Sequence, residues 1–133
     1  MQSLKAFTMM ELIMVVVIVG MIALFAIPNY NNAVSKSYQR TAKNNLLIMY
    51  SAQSILRTGG TAYPACADVA ACNTALTLSV IPNGVNYSCT KTTDTFDCRA
   101  SRTDGSFTLK VTNANAVVCC QSGTCDANIA PGC

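Results

Sequence analysis

The chain has 133 residues, of which 51% are apolar and only 11% charged, with eight cysteines, no histidine and a net charge of +3. That charge is too small to recommend nucleic acid as a partner on electrostatics alone. The missing histidine and the single glutamate remove the usual bases of nucleophilic and general acid–base catalysis, and neither a Walker loop nor a dinucleotide fingerprint is present, so no enzyme is expected.

The first strong signal is the apolar run FTMMELIMVVVIVGMIALFAI, 21 residues over positions 7–27, preceded by MQSLKA with its single basic residue Lys5. Its length suits a hydrocarbon core of ~30 Å crossed at ~1.5 Å per residue. Glu11 interrupts it four residues after Phe7. An ionised carboxylate in hydrocarbon costs roughly 2.5–3.5 kcal/mol on insertion scales, so this position calls for a partner charge. Gly20 stands in mid-run, where membrane helices commonly carry glycine. Pro28 follows at once; it lacks a backbone donor and clashes one turn back, which predicts a bend or break.

Helical periodicity then continues. Tyr30, Val34, Tyr38, Ala42, Leu46 and Met49 recur every three or four residues, with Lys36, Arg40 and Lys43 on the polar face. Residues 46–50 are apolar on every side, as expected of a helix flanked by a sheet and by other subunits. Gly59 and Gly60 supply the left-handed stop that glycine favours. A helix from 7 to about 57 is ~75 Å long, so its second half stands outside a bilayer. Residues 61–82 read as a connection with a short helix near 68–72. Strands are expected near 85–92, 95–102, 107–112 and 116–120, parted by turn residues at 93–94, 104–105 and 113–115. Three successive hairpins make a meander of about four antiparallel strands packed on the exposed half of the helix, an α+β fold. The resulting organisation is residues 1–6, a short leader; 7–28, the apolar half of the helix; 29–58, its amphipathic half; and 59–133, a globular head.

That head is small, and domains of roughly 60 residues bury only about 60% of their unfolded surface, so cross-links are welcome. Cys66, Cys72, Cys89, Cys98, Cys119, Cys120, Cys125 and Cys133 all follow the helix, which points to a cytoplasmic start and an oxidising exterior. Counting Lys36, Arg40 and Lys43 against Lys5 argues the opposite orientation by the positive-inside rule; the cysteines are given more weight. Eight cysteines allow 105 full pairings. If Thr93 and Asp94 are the hairpin loop, Cys89 faces Cys98 at a non-hydrogen-bonded position, where α-carbons approach to ~4.5 Å and a disulfide is feasible. Cys66 and Cys72 bracket a short loop. Adjacent Cys119 and Cys120 point to opposite faces and take Cys125 and Cys133, in an order the spacing leaves open. A zinc site is disfavoured: only Cys120 and Cys125 come near a ligand pair, and they have no second half. No metal or cofactor is expected. Asp68, Asp94, Asp97, Asp104 and Asp126 fall mostly where turns use aspartate, and Asn86-Tyr87-Ser88 matches a glycosylation triplet frequent by chance.

The short basic leader, Phe7-Thr8 at the start of the apolar run, Glu11, Gly20 and Pro28 together resemble the type IV pilins and their relatives the pseudopilins, over about residues 5–30. The resemblance implies cleavage between Ala6 and Phe7, where the family usually has glycine before the cut, and N-methylation of Phe7. It implies that Glu11 pairs with the new amine of a neighbouring subunit, with Thr8 completing the start of the assembly helix. It further implies that the stretch from Gly20 to Pro28 loosens as subunits pack, and that a disulfide closes the C-terminal region. The implied partners are further copies in a helical filament, the inner membrane before assembly, a prepilin peptidase, an assembly ATPase and a platform protein; DNA or a surface ligand stays open. A pilus subunit for adhesion, twitching or DNA uptake is the leading reading, extracellular after assembly. A pseudopilin of a type II secretion system is the alternative, weakened by a tail with Asp126 as its one acid. An unprocessed, signal-anchored binding domain is the third.

Overall fold

The computed structural model describes residues 7–133, so Lys5 and Ala6 of the leader lie outside the described residues. The chain divides after Ser35 into two units. Helix α1, Met9–Thr58, is assigned as helix without interruption, Pro28 included. The expected break is therefore not seen: a proline removes one donor, and the hydrogen bonds on either side of it suffice to carry the helix on. Within the first unit the apolar run 12–27 is bare. Side chains from Leu12 to Ile27 are about half to three-quarters exposed, the helix's most apolar 18-residue window has a mean hydropathy of 2.8, and none of that window is buried within the chain.

In the second unit α1 ends in a Schellman turn. Gly60 takes φ +83°, its N–H donates to the Arg57 carbonyl at 3.1 Å, and the Thr61 N–H donates to Leu56 at 3.2 Å. The buried stripe of this half is Gln39, Ala42, Leu46, Met49 and Gln53, spaced three and four residues apart. Ala42, Leu46 and Met49 belong to the periodic pattern expected from sequence, whereas Tyr30 at its start is 70% exposed. Two glutamines had no place in an apolar stripe, and each earns burial by bonding a loop: Gln39 Nε2 donates to the Thr124 carbonyl and Gln53 Nε2 to that of Pro64, both at 2.8 Å.

The connection forms α2, Val69–Leu76, capped by the Asp68 carboxylate, which accepts from the Ala71 N–H at 2.8 Å. It runs four residues past the expected 68–72, until Thr77 adopts a left-handed conformation and closes it. Strands β1 (Val85–Lys91), β2 (Phe96–Arg102), β3 (Phe107–Thr112) and β4 (Asn115–Gly123) form an antiparallel meander. A fifth strand not expected from sequence, β5 (Ala130–Pro131), pairs with β4 in parallel, so the sheet has five strands in chain order. Two residues of pairing carry no readable alternation; the tail is folded back by its disulfides, and β4 is longer than the expected 116–120 to receive it.

Alternation places Phe96, Cys98 and Ala100 of β2 and Phe107, Leu109 and Val111 of β3 on the inner face, all 2% exposed or less. They pack with Leu46 and Met49 of α1 and with Tyr87 of β1. Phe96 is wedged between Tyr50 and Tyr63, with ring centroids 5.6 and 4.9 Å away, and the Tyr87 hydroxyl accepts from Asn45 Nδ2 at 2.9 Å.

Candidate functional site

At the start of α1, Thr8 and Glu11 form a reciprocal capping box. The Thr8 N–H and hydroxyl donate to Glu11 Oε2 at 3.0 and 3.1 Å, and the Glu11 N–H donates back to Thr8 Oγ1 at 3.2 Å. Two backbone donors that the first helical turn leaves orphaned are thereby satisfied. The T-x-x-E spacing of Thr8 and Glu11 is the sequence signal of this cap, and it coincides with the membrane position of the carboxylate. Phe7 lies just outside the cap and is 78% exposed. Gly20 has open space around its α-carbon, and Pro28 sits inside the helix.

The eight cysteines form four disulfides: Cys66 with Cys72, Cys89 with Cys98, Cys119 with Cys133 and Cys120 with Cys125. Cys89 and Cys98 are directly opposite in the β1–β2 register, with α-carbons 4.1 Å apart. The other side of Cys89 exchanges backbone hydrogen bonds with Cys66 at 2.8 and 2.9 Å, so the two first disulfides lie against each other over the β1 edge. The sulfurs of Cys66, Cys72 and Cys89 fall within 4.8 Å of one another, a spacing suited to a metal, but each is committed to a disulfide and offers no thiolate.

Each aspartate of the head has a structural task. Asp68 caps α2; Asp94 accepts from Arg57 at 2.9 Å; Asp104 accepts from the Ser106 N–H in its turn. Asp97, on the outer sheet face, meets Arg99 at 3.1 Å and Lys110 at 2.8 Å. Burial pushes the Asp97 carboxyl up, but the hydrogen bonds and charges of Arg99 and Lys110 outweigh it and hold the group below the usual carboxylate range. Asp126 anchors the tail loop: its N–H donates to Gln39 Oε1, its Oδ1 accepts from Asn128, and Oδ2 lies 4.0 Å from Arg40. Lys43 Nζ donates to the Asn128 carbonyl at 3.0 Å. Arg40 and Lys43 of the expected polar face thus bind the tail loop down. Arg102 stacks 4.1 Å over the Tyr38 ring.

These features define a class: a chain with a bare apolar helical stretch, capped at its start, and a small disulfide-locked α+β head. A stretch of 49 residues is 45% identical to the type IV major pilin protein PilA of Myxococcus xanthus (strain DK1622), covering 37% of this chain and 22% of that protein. The matched stretch thus spans about a fifth of the curated relative's length. No family model and no solved structure matches the chain. Over that stretch, and in having a long N-terminal apolar helix, the chain is similar to a type IV pilin.

Proposed function

We propose that this chain is a structural subunit of a type IV pilus, held in the inner membrane by residues 7–28 with its N-terminus cytoplasmic, and polymerised through α1 into a surface filament. The carrying observation is the apolar stretch of α1, exposed along its length and opened by the Thr8–Glu11 cap. Exposed apolar surface on this scale needs cover, either lipid or other subunits. Moving from lipid to protein gains little hydrophobic free energy, so packing and polar pairing decide the transfer. Cleavage between Ala6 and Phe7 by a prepilin peptidase creates an amine beside the cap, and Glu11 of a neighbouring copy neutralises it, setting the axial level at which subunits join. N-methylation of Phe7 accompanies the cut, and an assembly ATPase with a platform protein drives extraction. The oxidised head fits an extracytoplasmic destination.

Adhesion, twitching motility and DNA uptake are the roles such a filament would serve, set by the exposed head. The test is filament recovery by shearing from cells producing the wild-type chain and Glu11→Ala. Filaments from the wild type, and a mutant that stays in the membrane without them, are expected; filaments in normal amount from the mutant would overturn the charge-pair mechanism.

A further inference from the structure

Cys89 stands between two other cysteines. Cys98 is directly opposite it on β2, and Cys66 faces it from the other side, exchanging two backbone hydrogen bonds with it at 2.9 and 2.8 Å in an isolated antiparallel bridge. Residues paired in that way have α-carbons about 5.5 Å apart, inside the range of roughly 4.4–6.8 Å that a disulfide spans. The backbone thus suits Cys66 to Cys89 as well as to its partner Cys72, whose α-carbon lies 4.9 Å away. The sulfurs of Cys66, Cys72 and Cys89 already fall within 4.8 Å of one another. All four cysteines of the two bonds are buried, Cys66 being the most exposed of them at 5%.

Burial decides how a wrong bond here is corrected. Exchange proceeds by attack of a thiolate on a disulfide sulfur, and a thiol of another protein does not reach sulfurs this deep once the head has packed. A neighbouring sulfur does. We infer that Cys66, Cys72, Cys89 and Cys98 act as one exchange unit, in which a bond between Cys66 and Cys89 is a third pairing through which a chain that has closed only one of its two bonds changes partners. In a chain that holds this third bond, the Cys72 thiolate attacks the Cys66 sulfur. The bond between Cys66 and Cys72 forms, the bond between Cys66 and Cys89 breaks, and its electron pair leaves on Cys89, which takes up the proton that Cys72 gave. The matching step, in which Cys98 attacks Cys89 and releases Cys66, links the third pairing to the remaining one, and neither step involves net oxidation. A thiol left at Cys72 is not stranded, since the Tyr87 carbonyl lies 3.8 Å from its sulfur. When the last two thiols give two electrons and two protons to a disulfide of the oxidoreductase class, no thiolate remains in the unit and the pairs of the folded head are locked.

Exchange needs only a folded head, so the result is independent of whether filaments form. Full-length Cys98→Ala and Cys72→Ala chains are made in cells, quenched in acid, alkylated under denaturing conditions and mapped by peptide mass spectrometry. A peptide linking Cys66 to Cys89 is expected from both, in about a tenth of the molecules or more, with label on Cys72 in the first variant and on Cys98 in the second. The bonds of Cys119 with Cys133 and of Cys120 with Cys125, read in the same digests, report that the head has folded. A folded Cys98→Ala chain labelled on Cys89 alone, or a folded Cys72→Ala chain labelled on Cys66 alone, would overturn the inference. Where a variant fails to fold, the wild type decides. Reduced in detergent and reoxidised with oxidised glutathione, it should pass through a species that links Cys66 to Cys89 and lose that link in the final product; reoxidation in which the link never appears would overturn the inference equally.

Discussion

Glu11 has two jobs in this account, and they can be separated by one atom. Glu11→Gln keeps an acceptor for the Thr8 N–H and hydroxyl, since the capping box tolerates glutamine, but it removes the charge. Glu11→Ala removes both, and Thr8→Ala removes the side-chain half of the cap while leaving the charge. Losing a cap costs about 0.5–2 kcal/mol, typically near 1, which is roughly a fivefold change. Leaving an amine at membrane depth without its carboxylate costs about 2.5–3.5 kcal/mol, or roughly a hundredfold. Filament yield, read as the ratio of sheared to membrane-retained protein, should therefore fall only several-fold for Thr8→Ala. It should fall to near nothing for Glu11→Gln and Glu11→Ala alike. A glutamine variant that assembles like the wild type would refute the charge-pair reasoning and leave Glu11 as a helix cap and nothing more.

Gly123, at φ +87°, has the Ser106 carbonyl and the Phe107 backbone where a Cβ would sit, so Gly123→Ala should cost about 2 kcal/mol or more, read as a lower melting temperature of the head. Gln39→Leu keeps the volume but strands the Thr124 carbonyl and the Asp126 N–H; about 1–3 kcal/mol should be lost, with faster hydrogen exchange in residues 124–129. The folded pKa of Asp97 lies below its unfolded value, so its contribution is present above the ordinary carboxylate range and is lost as pH falls through the folded value. Asp97→Asn should accordingly flatten the acid limb of the melting curve and leave the limb near neutrality with its slope unchanged. Burial raises the Tyr87 phenol, and the bond from Asn45 offsets only part of that rise, so Tyr87 stabilises the fold fully below its unfolded pKa and ceases to as pH climbs through the folded one; Tyr87→Phe should lessen the alkaline loss. Replacing Cys119 and Cys133 by serine opens a loop with a sequence separation of 14, and should destabilise the tail by about 3 kcal/mol on the chain-entropy view.

The end of α1 could be read from Gly59 and Gly60 because a left-handed turn is a backbone demand few other residues meet. The β1–β2 register could be read from Thr93 and Asp94, since a two-residue loop sets which residues oppose, Cys89 and Cys98 among them. Other features depend on contacts distant in sequence and had no local signature. Gln39 and Gln53 look like surface residues until the loops they hold are in place. β5 is two residues long, and its pairing follows from a tail tied back to β4. The need for glycine at 123 arises from the backbone of β3, sixteen residues earlier.

The central claim is that the chain is cut before Phe7 and exported as an oxidised filament subunit. The direct measurement is the intact, non-reduced mass of protein sheared from cells, set beside that of the membrane pellet. A sheared species beginning at N-methylated Phe7, and lighter by two hydrogens for each of the four disulfides, is the expected result. A full-length species retaining Ala6 and confined to the pellet would contradict the account.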